Sequence, residues 1–208
     1  MKGEKTKQRV LEAASDLFWS RSFHSVSVAD VAAAASVNKA TLYQYFDSKE
    51  ALGRAVVIDA RRRTIDFVFE GAWAQADEPL DRLKAIYERV YGSQQAAYDC
   101  SGEARGCPFV NIAMEMAIEN KSVRDEVRQT QEAFGAYYAR ILRALAPGPL
   151  PRDAEERAVA ALVRNMNGAM VAARIEQRPE ALLEAAETAV FIAQSAVASA
   201  AAPTSPAP

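Results

Sequence analysis

SVSVADVAAAASVNKATLYQYFDSKEAL, residues 25–52, decides the fold. Ser27 stands where a helix begins, because its hydroxyl can accept an amide hydrogen freed in the first turn. Asp30, three residues on, completes a capping-box spacing with Asp in place of the more usual Glu or Gln. Val28, Val31, Ala32 and Ala35 then recur on one face, which predicts a helix over about 28–35. Asn38 is placed to cap a second helix, about 39–46, that carries Leu42 and Phe46 inward. The other positions of that helix, Lys39, Thr41, Tyr43, Gln44 and Tyr45, crowd polar and aromatic groups onto about two turns. A helix that short does not hold in water alone and must be docked on neighbours. Its outer face suits phosphates and base edges.

Upstream, Val10, Leu11, Ala14, Leu17 and Phe18 form the buried stripe of a helix over about 6–21. Lys2 to Lys7 read as a short basic arm, either brushing phosphate or frayed. Taken together, VLEAASDLF (10–18), SVSVADVAAAASV (25–37), KATLYQYF (39–46) and SKEAL (48–52) resemble the DNA-binding domain of the TetR family of one-component transcriptional regulators. The T-L-Y-x-Y-F core followed by S-K-E carries most of that resemblance. Where the family usually has Gly between the two helices, this chain has Ser36, so another residue must take a positive φ or the turn must differ.

Composition fits a packed, globular chain: 208 residues, 50% apolar, with a net charge of −2. That charge is unevenly divided. Residues 1–54 hold eight Lys/Arg against six Asp/Glu, and residues 55–208 hold 17 against 21, so the positive end is the one proposed to meet phosphate. The apolar runs read as too short for a membrane span, and the charged N-terminus lacks a signal-peptide core, which predicts a cytoplasmic protein with no membrane partner. One His, two Cys and no glycine-rich phosphate loop leave little for catalysis, metal or cofactor; no enzyme and no cofactor are expected.

Ser48 or Asp47 starts a long fourth helix, about 49–75, spanning roughly 40 Å. Its Arg61-Arg62-Arg63 run reads as a solvated face. Pro79 opens a fifth helix to about residue 98, and Ser101-Gly102 and Arg105-Gly106 mark a loop. Pro108 then opens a sixth helix, with Cys107 near its N-cap. Amides and dipole there favour a thiolate, so Cys107 reads as a reactive thiol or as a small buried hydrophobe, while Cys100 falls in the loop beside Asp99. The G-C-P-F-x-N segment resembles a TetR subgroup whose cysteine here is associated with sensing electrophiles or small unsaturated acids. Helices follow over about 122–146, 154–177 and 179–198, the first two separated by APGPLPRD (146–153).

The expected fold is all-α: a three-helix helix-turn-helix domain (1–50), a helical bundle for ligand binding and dimerisation (51–198), about nine helices in all, and a disordered tail (199–208). The resemblance implies a homodimeric repressor bound to double-stranded operator DNA and released by a small-molecule effector. Ser27, Asn38 and Lys49 would hold phosphates; Lys39, Thr41, Tyr43, Gln44 and Tyr45 would lie near DNA, with Lys39, Thr41 and Gln44 best suited to bases. Effector-site candidates are Cys107, Phe67, Trp73, Tyr87, Tyr91, Phe134 and Tyr138, whose alternative is plain core packing. Leu162, Met166, Met170, Val190 and Ala193 are the dimer candidates, with closure of the chain's own core as the alternative. A DNA-binding protein governed by protein contacts, and a helical enzyme, are the other two classes.

Overall fold

The computed structural model of this protein describes residues 2–201. Among them are nine helices and no strand: α1 Lys2–Ser20, α2 Val28–Ala34, α3 Lys39–Tyr43, α4 (49–75), α5 Pro79–Ser101, α6 Pro108–Met116, α7 Lys121–Leu145, α8 Arg152–Glu176 and α9 Ala181–Ala201. The all-helical reading therefore holds. The supposed basic arm is helical from Lys2 onward. Residues 199–201, expected to be tail, continue α9, and 202–208 lie outside the described residues.

Two compact units are present, and neither follows a boundary at residue 50. One joins residues 1–64 with 105–130; the other joins 65–104 with the chain from 131 onward. In the first, Val10, Leu11, Ala14 and Phe18 of α1 are buried with Val31 and Ala32 of α2, Leu42 of α3 and Leu52, Val56 and Val57 of α4. Burying several large aliphatic groups at about 1.5–3 kcal/mol each is what keeps a five-residue helix such as α3 formed. Gly53 belongs to this packing, since a Cβ there would lie 2.8 Å from the Phe23 ring.

In the arginine run of α4, Arg62 and Arg63 are exposed, as a solvated face predicts, and Arg61 is half-buried. Arg61 Nη2 lies 3.5 Å from Glu126 Oε2, and Arg62 and Arg63 bracket Asp59 at 2.9 and 3.0 Å. Both acids are buried, and the arginines meet them from the surface.

In the second unit, Val68, Phe69, Ala72, Leu83, Ile86, Tyr87, Tyr138, Ile141, Leu142 and Leu162 form one core with Ala186, Ala189 and Ala193 of α9. By length and composition α9 is apolar enough to span a membrane, which overturns the expectation that no such run exists. Its apolar character is partly used here, because one face packs against α8 and α5.

The α2–α3 turn answers the question posed by Ser36. Ser36 itself takes the left-handed conformation, φ 52°, at the position usually given to Gly. Its amide donates to the Ala33 carbonyl (3.1 Å) and that of Val37 to the Ala32 carbonyl (2.9 Å), the two closing bonds of a Schellman turn. A side chain in this conformation costs about 1–2 kcal/mol. Ser36→Gly is therefore expected to stabilise by about 0.5–1 kcal/mol once the extra freedom of unfolded Gly is subtracted. The corresponding rise is about 1–4 °C in the thermal midpoint of the helix-turn-helix unit. A lower midpoint would show that the Ser36 hydroxyl contributes more than its conformation costs.

Candidate nucleic-acid interface

α2 begins as its sequence requires. The Ser27 hydroxyl accepts from the Asp30 amide at 3.2 Å and donates to the Asp30 carboxylate at 2.6 Å, while the Ser27 amide donates to the same carboxylate at 2.8 Å. Ser27 hydrogen bonds, helped by the positive charges of Arg21 and Lys39, hold the Asp30 carboxyl below the usual carboxylate range. Ser27 is exposed, but its hydroxyl proton is already committed to Asp30.

Asn38 caps α3 by accepting the Thr41 amide at 2.7 Å. Only Leu42 of this helix is fully buried, together with Phe46 just beyond it. With those two inward, Asn38, Lys39, Ala40, Tyr43 and Gln44 are exposed, and Thr41 and Tyr45 are half-buried. α3 ends at Tyr43, earlier than its spacing predicts, and Gln44 is its C-cap. The cluster is thus a set of adjacent donors and acceptors, one of them cationic, on the outer side of a docked short helix. Such a face can meet base edges and phosphate oxygens.

Lys49, the first residue of α4, is held back toward the protein. Its ammonium sits 4.4 Å over the Phe23 ring and reaches the His24 carbonyl at 3.5 Å. Half-exposed, it keeps part of its donor capacity for an anion.

The same unit contains residues remote in sequence. The Trp19 indole N–H donates to the Gly106 carbonyl at 2.8 Å, and Arg105 pairs with Asp16 at 3.1 Å. At the other end of α6, the His24 amide donates to Glu115 at 2.9 Å. Arg54 donates to Glu126 through Nε and Nη2 at 3.0 and 2.6 Å. None of these partners could be read from the sequence, where each is an ordinary surface residue.

Cys107 is the N-cap of α6, as its position before Pro108 predicts, but its chemistry runs the other way. Burial pushes the thiol up, and the amides of Val110 and Phe109 only partly oppose it. The expectation of a lowered pKa is corrected: desolvation of the thiolate outweighs the helix terminus. Cys100 is corrected too, since it lies in the last turns of α5 and is exposed.

Cys107 belongs to the first unit, whereas the six aromatic effector-site candidates belong to the second. Tyr87 and Tyr138 are buried; Tyr87 donates to Asn165 at 2.6 Å, and burial raises both phenols. Phe134 stacks on Phe69 at 4.9 Å between ring centroids, and Trp73 meets Tyr137 edge-on at 5.2 Å with Arg140 at 4.4 Å. Tyr91 is half-buried, and Phe67 is turned outward beneath Arg89. Phe69 and Tyr137 were missed as partners of Phe134 and Trp73; their four-residue offsets, 69 to 73 and 134 to 138, gave no sign of which rings would meet.

The five dimer candidates divide by burial. Leu162, Met170 and Ala193 are buried within the chain itself, and Met166 and Val190 are only half-exposed. The open apolar positions on α8 and α9 are instead Val171, Ile175 (76% exposed), Leu183 and Phe191 (68% exposed). Val171 and Ile175 are four residues apart, the spacing that could have revealed them. Among the described residues, no group of three His, Cys, Asp or Glu could hold a metal ion.

Residues 10–56 match the family described as bacterial regulatory proteins, tetR family, and residues 79–189 match the tetracyclin repressor-like C-terminal domain. The chain is 31% identical over 169 residues to an uncharacterized HTH-type transcriptional regulator of Mycobacterium tuberculosis, covering 76% of this chain and 83% of that one. It is 26% identical to the HTH-type transcriptional repressor DhaR of Mycobacterium sp. (strain GP1), covering 85% and 86%. A TetR-family transcriptional regulator from Streptomyces coelicolor superposes with a TM-score of 0.74 at 24% identity, over 96% of this chain and 97% of that chain.

The two cysteines supply a direct measurement. N-ethylmaleimide at neutral pH should label Cys100 before Cys107, because Cys100 is exposed whereas burial limits both access to the Cys107 sulfur and its thiolate fraction. Peptide mass spectrometry over a time course reads the order; faster labelling at Cys107 would restore it as a reactive thiol.

Proposed function

This chain belongs to the TetR family of bacterial transcriptional regulators, and from that premise we propose that it is a repressor that binds a near-palindromic operator as a homodimer and is released by a small molecule. The observation that carries the DNA-binding part is the exposed row Asn38, Lys39, Tyr43 and Gln44 on a helix whose only fully buried side chain is Leu42. α3 enters the major groove, and two copies read faces about 34–36 Å apart. Lys39, Thr41 and Gln44 read bases, Tyr43 and Tyr45 border the duplex, and Asn38 and Lys49 meet phosphate. Ser27 contributes as a cap and through its backbone.

The homodimer is supported by the open apolar positions Val171, Ile175, Leu183 and Phe191. Apolar groups this exposed gain by meeting copies of themselves across a two-fold axis, as in an isologous interface. The effector is a reversible ligand of the second unit, where Phe69, Trp73, Phe134, Tyr137 and the buried pair Tyr87 and Tyr138 supply aromatic surface. Cys107 serves as a packing residue, because its raised thiol pKa disfavours the electrophile-sensing role that G-C-P-F-x-N suggests. No catalytic role is assigned, and as a DNA-binding regulator it works in the cytoplasm.

Double-stranded DNA selected by the purified protein from a random pool tests the central reading; failure to enrich an inverted repeat would sink it. On that DNA, Gln44→Ala should change preference at one or two base pairs by about 1–3 kcal/mol each. Lys49→Ala should weaken operator and random DNA alike and lower the salt slope by about one. Equal losses on both DNAs for Gln44→Ala would remove it from the base-reading set.

Phe191→Glu should leave a folded monomer whose operator affinity falls at least about tenfold, since a single half-site loses the linked second contact. Sedimentation velocity with and without the substitution reads the state. A wild-type monomer at micromolar concentration would overturn the dimer.

A further inference from the structure

α8 and α9 are joined by residues 177–180 and pack along each other, so they run antiparallel. Each keeps a row of outward positions. On α8 the exposed row is Arg164, Gly168, Val171 and Ile175; on α9 it is Glu187, Phe191, Gln194 and Ala198. Both rows step by four, three and four residues, the spacing at which one helix meets another along a seam. Each α9 position is its α8 counterpart plus 23, so the rows match in a single register over about three turns. A chain cannot use that match on itself, because its own two helices run in opposite directions and leave both rows outside. A two-fold axis across the pair brings α8 of one copy parallel to α9 of the other, which is the direction a constant offset requires.

In that register the two rows complement each other in size and in charge. Phe191, the largest exposed group of α9, falls on Gly168, where a Cβ would have nothing within 4 Å. Ile175 falls on Ala198, so at both places a large apolar group meets a small one. Arg164 falls opposite Glu187. Among the described residues neither has an ion-pair partner in its own chain, although Arg178 and Glu184 close by are paired with each other. A shift of four residues either way sets the Arg164 cation against Leu183 or Phe191 and takes Glu187 out of its reach. One register therefore satisfies both charges, and its neighbours leave both unmet beside apolar groups.

We propose that Arg164 of one copy and Glu187 of the other, beside the seat of Phe191 on Gly168, form a self-recognition element that fixes the register and decides which chains pair. The inference rests on the homodimer reading above and adds selectivity to it. Exposed apolar groups attract any apolar surface and so give little discrimination. The charges supply it, because two-fold symmetry repeats the contact, and a chain with the wrong sign at either position meets repulsion. Selection of partners also selects DNA, since the two reading helices of a dimer come from two chains and a mixed dimer would carry two different ones.

The test uses full-length chains at low ionic strength, read by sedimentation velocity and native mass spectrometry. Arg164→Glu and Glu187→Arg should each loosen the homodimer at least about tenfold, because like charges then face each other at both symmetric contacts. Mixed one to one, the two variants should form a heterodimer within about threefold of wild-type strength, since each chain offers the charge the other lacks. Both substitutions in one chain should restore a homodimer that does not exchange subunits with wild type. Should a single variant fail to fold, the doubly substituted chain decides by itself: a homodimer closed to wild type supports the element, and free exchange overturns it. Homodimers of wild-type strength in both single variants, or folded variants that do not pair on mixing, also overturn it. A wild-type monomer at micromolar concentration overturns the dimer reading instead, whereas a wild-type dimer indifferent to every one of these substitutions leaves that reading standing and removes only the recognition element.

Discussion

The first unit depends on a carboxylate that has almost no access to water. Glu126 is buried, and its charge is met by Arg54 on one oxygen and Arg61 near the other. Removing a carboxylate from water costs several kcal/mol, so Glu126 is tolerable only while both cations stay in place. They stand on α4, seven residues apart, two turns along one face. Asp59 makes the same demand on Arg62 and Arg63. A run of three arginines is thereby divided among two buried acids, and α4 is bound lengthwise to the start of α7.

That constraint gives α3, the helix proposed to read DNA, its foundation. α3 has five residues and one fully buried side chain, too little to persist by itself. Leu42 and Phe46 must find a surface already made by α1, α2 and α4. α6 adds to it through bonds at both of its ends, Trp19 to Gly106 and His24 to Glu115. The segment 105–130 is therefore built into the unit that carries the reading helix.

The second unit is held by different means. It has charged pairs, such as Arg157 with Asp153, that are exposed and worth little. Aromatic and aliphatic burial carries it, with Phe69 in contact with three rings. A polar group inside it, the buried Tyr87 phenol, is met by Asn165, so it avoids the cost of an unmet donor. Within this apolar setting the Arg89 guanidinium of α5 donates to the Phe67 carbonyl of α4, at the π turn of residues 65–70.

What the sequence determined by itself is local. Ser27 with Asp30, Asn38 with Thr41, Pro79 and Pro108 set helix starts through bonds spanning three residues or fewer, and the apolar period set the faces that turn inward. The class of fold and the reading helix follow from these. Tertiary structure alone decided the rest, since the deciding partners are far apart in the chain: 87 residues separate Trp19 from Gly106 and 72 separate Arg54 from Glu126. Periodicity says that Leu162 and Ala193 are apolar and inward but not whether inward means the chain's own core or a second copy; packing chose the core and left Ile175 and Phe191 outside. The thiol of Cys107 was decided in the same way, because a helix start is visible in sequence, whereas the desolvation that overrides it depends on everything packed around the sulfur.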